Sequence, residues 1–171
     1  MSYYIGQLLG VLVTLGVIIN FQFKKKRHMH IASLIINILS AANILLLDGF
    51  NSGVIVCTVA VIQLMLSIWH ENKNTKASVT EKIIFLVLYV SGGFLGFHQP
   101  LDLLSIAAAV FYMLAVFQKK EQNFRLMLLC NMSIWTVYHT ILGSTAVFAQ
   151  IAGIISSLVA LYRYRNKAKS R

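Results

Sequence analysis

Read from its N-terminus, the chain alternates between long apolar runs and short polar breaks. The runs fall at Tyr3–Phe21, Ile31–Leu47, Gly53–Trp69, Ile83–Phe97, Asp102–Gln118, Phe124–Leu142 and Thr145–Tyr162. A helix rising about 1.5 Å per residue needs roughly 20 apolar residues to cross a hydrocarbon core of about 30 Å. The pattern therefore predicts an all-α integral membrane protein with seven transmembrane helices, of which the fourth is the shortest. The first run has no positively charged segment before it and carries its charges after it, so it reads as a retained helix and not as a secretory signal.

The breaks alternate in charge. Lys24, Lys25, Lys26 and Arg27 fill the first, Lys73, Lys76 and Lys82 the third, and Lys119, Lys120 and Arg125 the fifth. The tail adds Arg163, Arg165, Lys167, Lys169 and Arg171, which completes the 15 basic residues of the protein. The breaks near Asp48, His98–Pro100 and Gly143 carry none. Basic loops stay in the cytoplasm, which predicts a bacterial inner membrane protein with its N-terminus outside and its C-terminus cytoplasmic. Dropping the fourth span would put the basic tail on the opposite side from the first basic loop.

Composition agrees with a lipid environment: 58% hydrophobic residues, 12% charged and a mean hydropathy of +0.74 exceed what a soluble domain buries. A net charge of +10 suggests nucleic acid in a soluble protein, but here topology already accounts for it. The expected partner is the lipid bilayer, with no nucleic acid; a homo-oligomer is neither required nor excluded. Cys57 and Cys130 lie within apolar runs without metal-binding or redox spacing, so no metal or cofactor is expected.

The chain also repeats itself. Phe21-Gln22 followed by Lys24 ends the first run as Phe117-Gln118 followed by Lys120 ends the fifth, and Asn37 and Gly49 match Asn131 and Gly143 after a shift of 94 residues. Helices one to three then pair with helices five to seven, and the fourth acts as an inversion linker. Three helices is an odd number, so the linker makes the halves parallel. The predicted plan is two three-helix bundles in a 3+1+3 order: residues 1–72, a linker at 73–98, and residues 99–171.

This plan resembles the SWEET and PQ-loop superfamily of sugar and metabolite facilitators and the PnuC-type vitamin transporters. A resemblance covering nearly the whole chain is to the YgjV family of bacterial inner-membrane proteins. It is carried by Gly6-Gln7, by Phe97-His98-x-Pro100-Leu101-Asp102-Leu103-Leu104, and by Trp135-x-x-Tyr138-x-x-x-x-Gly143. Pro100 is the only proline, at the start of the fifth run, so the proline hinge usual in the first helix of each SWEET bundle is absent.

Polar side chains inside a membrane need partners, so they mark either helix contacts or a pathway. Asn37 and Asn131 occupy matching places in the two halves. Asn131, Trp135 and His139 recur every four residues, placing an amide, an indole and an imidazole on one helix face. Ser33, Asn37, Ser40 and Asn43 share an arc of the second helix, and Tyr138 lies beside Trp135. Asn37, Asn131, Trp135, Asn43, Tyr138 and His139 are the candidate substrate-binding residues, suited to a small neutral ligand that is hydroxylated or heterocyclic. No acidic or basic side chain is expected near the middle of a span. The basic loop containing His28 and His30 reads as solvated. Asp48, Asp102, His98 and His139 could gather at the outer face, but no nucleophile with a base accompanies them, so no enzyme is expected. The leading function is a facilitator working by alternating access between the bundles. The alternative is a non-transporting membrane scaffold whose polar residues hold helices together.

Overall fold

The computed structural model describes residues 2–97, 99–118, 120–141 and 146–169, and these residues form seven α-helices and no strand. They are α1 (Ser2–Asn20), α2 (Lys26–Asp48), α3 (Ser52–Asn72), α4 (Val79–Leu95), α5 (Asp102–Val116), α6 (Glu121–Ile141) and α7 (Ala146–Lys169). Each predicted run coincides with one helix. α2 starts five residues before the predicted Ile31, because Met29 and His30 are both fully buried and need a helical turn to aim them inward. Gly143 and His98 lie outside the described residues.

Local signals explain the boundaries. Asn51 caps α3 by accepting from the Val54 amide at 3.2 Å, and Ser78 with Glu81 forms a capping box at the start of α4. Gly49 ends α2 at φ 75°, in the left-handed region where a side chain would be strained. α5 is only 15 residues long, but Leu103 and Leu104 donate to the carbonyls of Pro100 and Leu101, extending it outward by a tight turn.

On length and composition alone, α2 over Lys26–Leu47 and α3 over Ser52–Asn72 are each sufficient to cross a membrane. Tyr4–Asn20, Asp102–Val116 and Val147–Arg163 are shorter apolar helices. The distribution of side chains is that of a protein in lipid. Leu8, Leu15, Ile62, Ile84, Val87, Phe148 and Ile155 are exposed, whereas Asn20, His30, Gln63, Asp102, Arg125 and Asn131 are buried. Water would penalise so much exposed apolar surface, whereas lipid does not.

Helix contacts trace a ring. α1 packs on α2, α2 on α3, α3 on α5, α5 on α6, α6 on α7, and α7 returns to α1. α4 packs on α3 and α5 from outside the ring, filling the angle between them. Small residues allow the close approach: a Cβ on Gly96 would lie 2.4 Å from the Ser52 amide nitrogen, and one on Gly93 2.5 Å from Ile106.

Candidate functional site

All six ring helices line one central cavity of about 110 Å³, and α4 contributes nothing to it. At roughly 30 Å³ of liquid per molecule it holds about three or four waters. Two faces supply most of its wall. On α2 these are Ser33, Ile36, Asn37, Ser40 and Ile44; on α6 they are Leu128, Asn131, Met132, Trp135 and His139. Both sets follow the same helical spacing and are displaced by 95 residues. Asn37 therefore takes the place of Met132, and Asn131 that of Ile36: the two asparagines share the cavity without being equivalent in its lining.

Each amide is held through its nitrogen. Asn37 Nδ2 donates to the Ser33 carbonyl at 2.7 Å and to the Tyr112 hydroxyl at 2.9 Å, which joins α2 to α5. Asn131 Nδ2 donates to the Ala108 carbonyl at 2.7 Å, joining α6 to its neighbour α5. Asn20, the last residue of α1, donates to Ser33 Oγ at 3.0 Å, while its own Oδ1 is buried without a hydrogen-bond partner among the described residues. His139 Nδ1 is likewise buried and without one. Trp135 stacks on His139 with centroids 5.4 Å apart and 22° between planes, making a flat aromatic wall. Gln150 of α7 completes the polar set.

Four of the six candidates therefore meet in the cavity: Asn37, Asn131, Trp135 and His139. Asn43 does not line it and donates to the Gly6 carbonyl at 2.6 Å, tying α2 to α1. Tyr138 is buried beside Trp135, with ring centroids 5.1 Å apart, and is not part of the lining. Gln63 also lies elsewhere, accepting from the Tyr89 hydroxyl at 2.7 Å and donating to the Met113 carbonyl at 3.2 Å. Asp102 is buried, accepting from Ser52 Oγ at 3.1 Å and from the Gln99 amide at 3.0 Å, which suits a structural cap at the start of α5.

Two charged sites went unread in the sequence. Arg125, counted above among the loop charges, is 1% exposed; its guanidinium donates to the Phe21 and Phe23 carbonyls, both at 2.6 Å, at the C-terminal end of α1. Those carbonyls lack helical partners and carry the negative end of the helix dipole, so a cation is the natural cap. His30 is not solvated as expected from its basic loop: it is fully buried, packed edge-on against Phe124 at 5.4 Å, with Nδ1 3.2 Å from Glu71 Oε1. Lys26 reaches the same carboxylate oxygen at 3.9 Å. Only the position of Arg125 one residue after buried Phe124, both in the first turns of α6, hinted that it would point inward.

Over residues 4–168 the chain matches the Imp-YgjV family, described as bacterial inner membrane protein, and it belongs to that family. Comparison with curated proteins and with solved structures finds no match.

Proposed function

We propose that this inner membrane protein is a facilitator that moves a small, mostly neutral metabolite through its central cavity by alternating access. The observation that carries the reading is the convergence of six helices on one cavity, mostly apolar in its wall but set with Asn20, Ser33, Asn37, Asn131 and Gln150, with α4 left outside. A helix-packing role alone gives polar residues no reason to converge on a common space. The ring of contacts supports the 3+1+3 plan, since it maps onto itself when α1–α3 are matched to α5–α7. His30 of α2 packs edge-on against Phe124 of α6, joining the matching helices of the two halves. Segregation of the basic residues supports N-out, C-in topology. The cavity wall combines amides, a phenol and stacked aromatic rings and carries no carboxylate or ammonium group, which favours a neutral solute.

At about 110 Å³ the cavity is smaller than the roughly 300–1,000 Å³ usual for ligand pockets. In this reading the conformation is closed, and the helices separate to admit the solute. The scaffold alternative is favoured by one observation, that Asn131 spends its amide nitrogen on its neighbouring helix, as a packing residue does.

A thermal-shift screen of small neutral metabolites on purified protein separates the two readings, because a ligand of the native state raises apparent stability by mass action. The facilitator reading expects a ligand whose stabilisation disappears in Asn131→Leu, with the unliganded variant melting near wild type. If Asn131→Leu instead lowers the unliganded melting temperature sharply and no ligand stabilises wild type, the scaffold reading holds.

A further inference from the structure

The sequence favours passive movement, because it places no Asp, Glu, Lys or Arg near the middle of a span and leaves His139 as the one ionisable candidate. His30 changes that. It is fully buried, its Nε2 has no hydrogen-bond partner, and its Nδ1 lies 3.2 Å from the Glu71 carboxylate without the alignment of a hydrogen bond. A buried imidazole left this way in a membrane protein calls for a function.

Its place in the fold suggests which one. His30 lies one helical turn before Ser33, whose hydroxyl accepts from cavity-lining Asn20. Across the ring it meets Phe124 of α6, and the next residue, Arg125, clasps the end of α1. The His30–Phe124 contact and the Arg125 clasp thus close the same end of the cavity. The charged groups facing His30 are Glu71 of α3 and Lys26 of α2; Arg27 acts on Glu71, Glu121 of α6 acts on Lys26, and Arg125 lies against the neighbouring Met29.

We propose that His30, with Glu71, is a proton-binding site whose occupancy opens the cytoplasmic end of the central cavity, making the proton a co-substrate. A protonated His30 in the closed arrangement is a cation out of water, near Lys26 and Arg125 and compensated by a carboxylate that Lys26 already shares. The charged form therefore prefers an arrangement in which α2 and α6 part and water reaches the ring, and linkage makes proton binding and opening reinforce each other. Glu71, on neighbouring α3 and paired with Lys26 of α2, stays beside the imidazole and keeps the site selective for a cation. This inference rests on the facilitator reading of the cavity.

Cys57 lines the cavity and serves as a native reporter of access to it, once Cys130 is replaced by Ala. Inside-out membrane vesicles, which offer only the cytoplasmic face of the proposed topology, are treated with a membrane-impermeant maleimide at pH 6 and pH 8, and each variant is divided by the Cys130→Ala parent at the same pH, which cancels the thiol's own chemistry. At pH 6 His30→Gln is expected to label at least about fivefold more slowly than the parent, while at pH 8 the two agree. His28→Gln, altered two residues away in the same loop, should match the parent at both. Glu71→Gln tests the site if His30→Gln fails to fold, and is expected to change the pH 6 to pH 8 ratio. Labelling that is readily measured but has the same pH profile in parent, His30→Gln and Glu71→Gln overturns the proton site and leaves the facilitator standing. A Cys57 that labels only in right-side-out vesicles overturns the proton site, and one unreactive in both kinds of vesicle at both pH values until the protein is unfolded overturns both.

Discussion

The ring is closed by two seams, α3 against α5 and α7 against α1, and they are built differently. The first is tied along its length: Ser52, Asp102 and Ser105 bond to one another near one end, Gln63 reaches the Met113 carbonyl further along, and α4 covers the joint with Tyr89 bonded to Gln63. In the second, Gln22, Ser156 and Arg125 form a cluster of polar ties at one end. Gln22 donates to Ser156 Oγ at 3.1 Å, Ser156 reaches the Ile18 carbonyl at 3.4 Å, and Arg125 holds the nearby end of α1. Further along, Gly153 packs against Val17 and Met132. A seam bonded throughout is suited to act as a fulcrum. One clasped at the end where Arg125 lies, with Gly153 packed on side chains further along, is suited to open from the other.

The sharpest way to break this comparison is to wedge each seam. At the first, where the end of α4 covers the joint, a Cβ on Gly96 meets backbone atoms of Ser52 at 2.4 and 2.6 Å, and backbone cannot swing aside. Gly96→Val is expected to destabilise by about 3 kcal/mol or more, or to prevent folding, as read by thermal unfolding in detergent. Next in size is Gln63→Leu, which strips the buried Tyr89 hydroxyl of its acceptor; a loss of about 1–3 kcal/mol is expected. At the second seam, a Cβ on Gly153 meets Met132 and Val17 side chains at 2.7–2.9 Å. Met132 is flexible, and alanine in place of glycine favours the helix by about 1 kcal/mol, so Gly153→Ala should fall within about 1 kcal/mol of wild type. Ser156→Ala, at an exposed bond, should shift stability least, by under about 0.5 kcal/mol. If Gly153→Ala proves as damaging as Gly96→Val, the seams are equally rigid and the distinction between fulcrum and opening disappears.

What the sequence disclosed follows from which physics is local. Helix positions were legible because apolar run length and turn residues are local, down to Gly49 and Asn51. The residues facing the cavity were legible in part, since Asn131, Trp135 and His139 share one face by spacing alone. Tyr112 was not, because a tyrosine in an apolar helix looks the same whether its hydroxyl meets Asn37 or lipid headgroups. Asn43 carried the same polar signal as Asn37, yet its partner is a carbonyl of α1, and only packing distinguishes them. His30 and Arg125 misled for the opposite reason. Charge near a run's end usually means a solvated loop, but here helix ends converge and bury one cation on exposed carbonyls.

The central claim is that the polar interior is a pathway and not a seal. The most direct measurement is the sidedness of Cys57 labelling in a Cys130→Ala background, with an impermeant thiol reagent applied separately to right-side-out and inside-out membrane vesicles at neutral pH. The account predicts labelling from the outer face, away from the Gln22, Ser156 and Arg125 ties, and much slower labelling from the cytoplasmic face closed by Arg125, His30 and Phe124. Cys57 that is unreactive from both faces, yet reacts fully once the protein is unfolded, would contradict it.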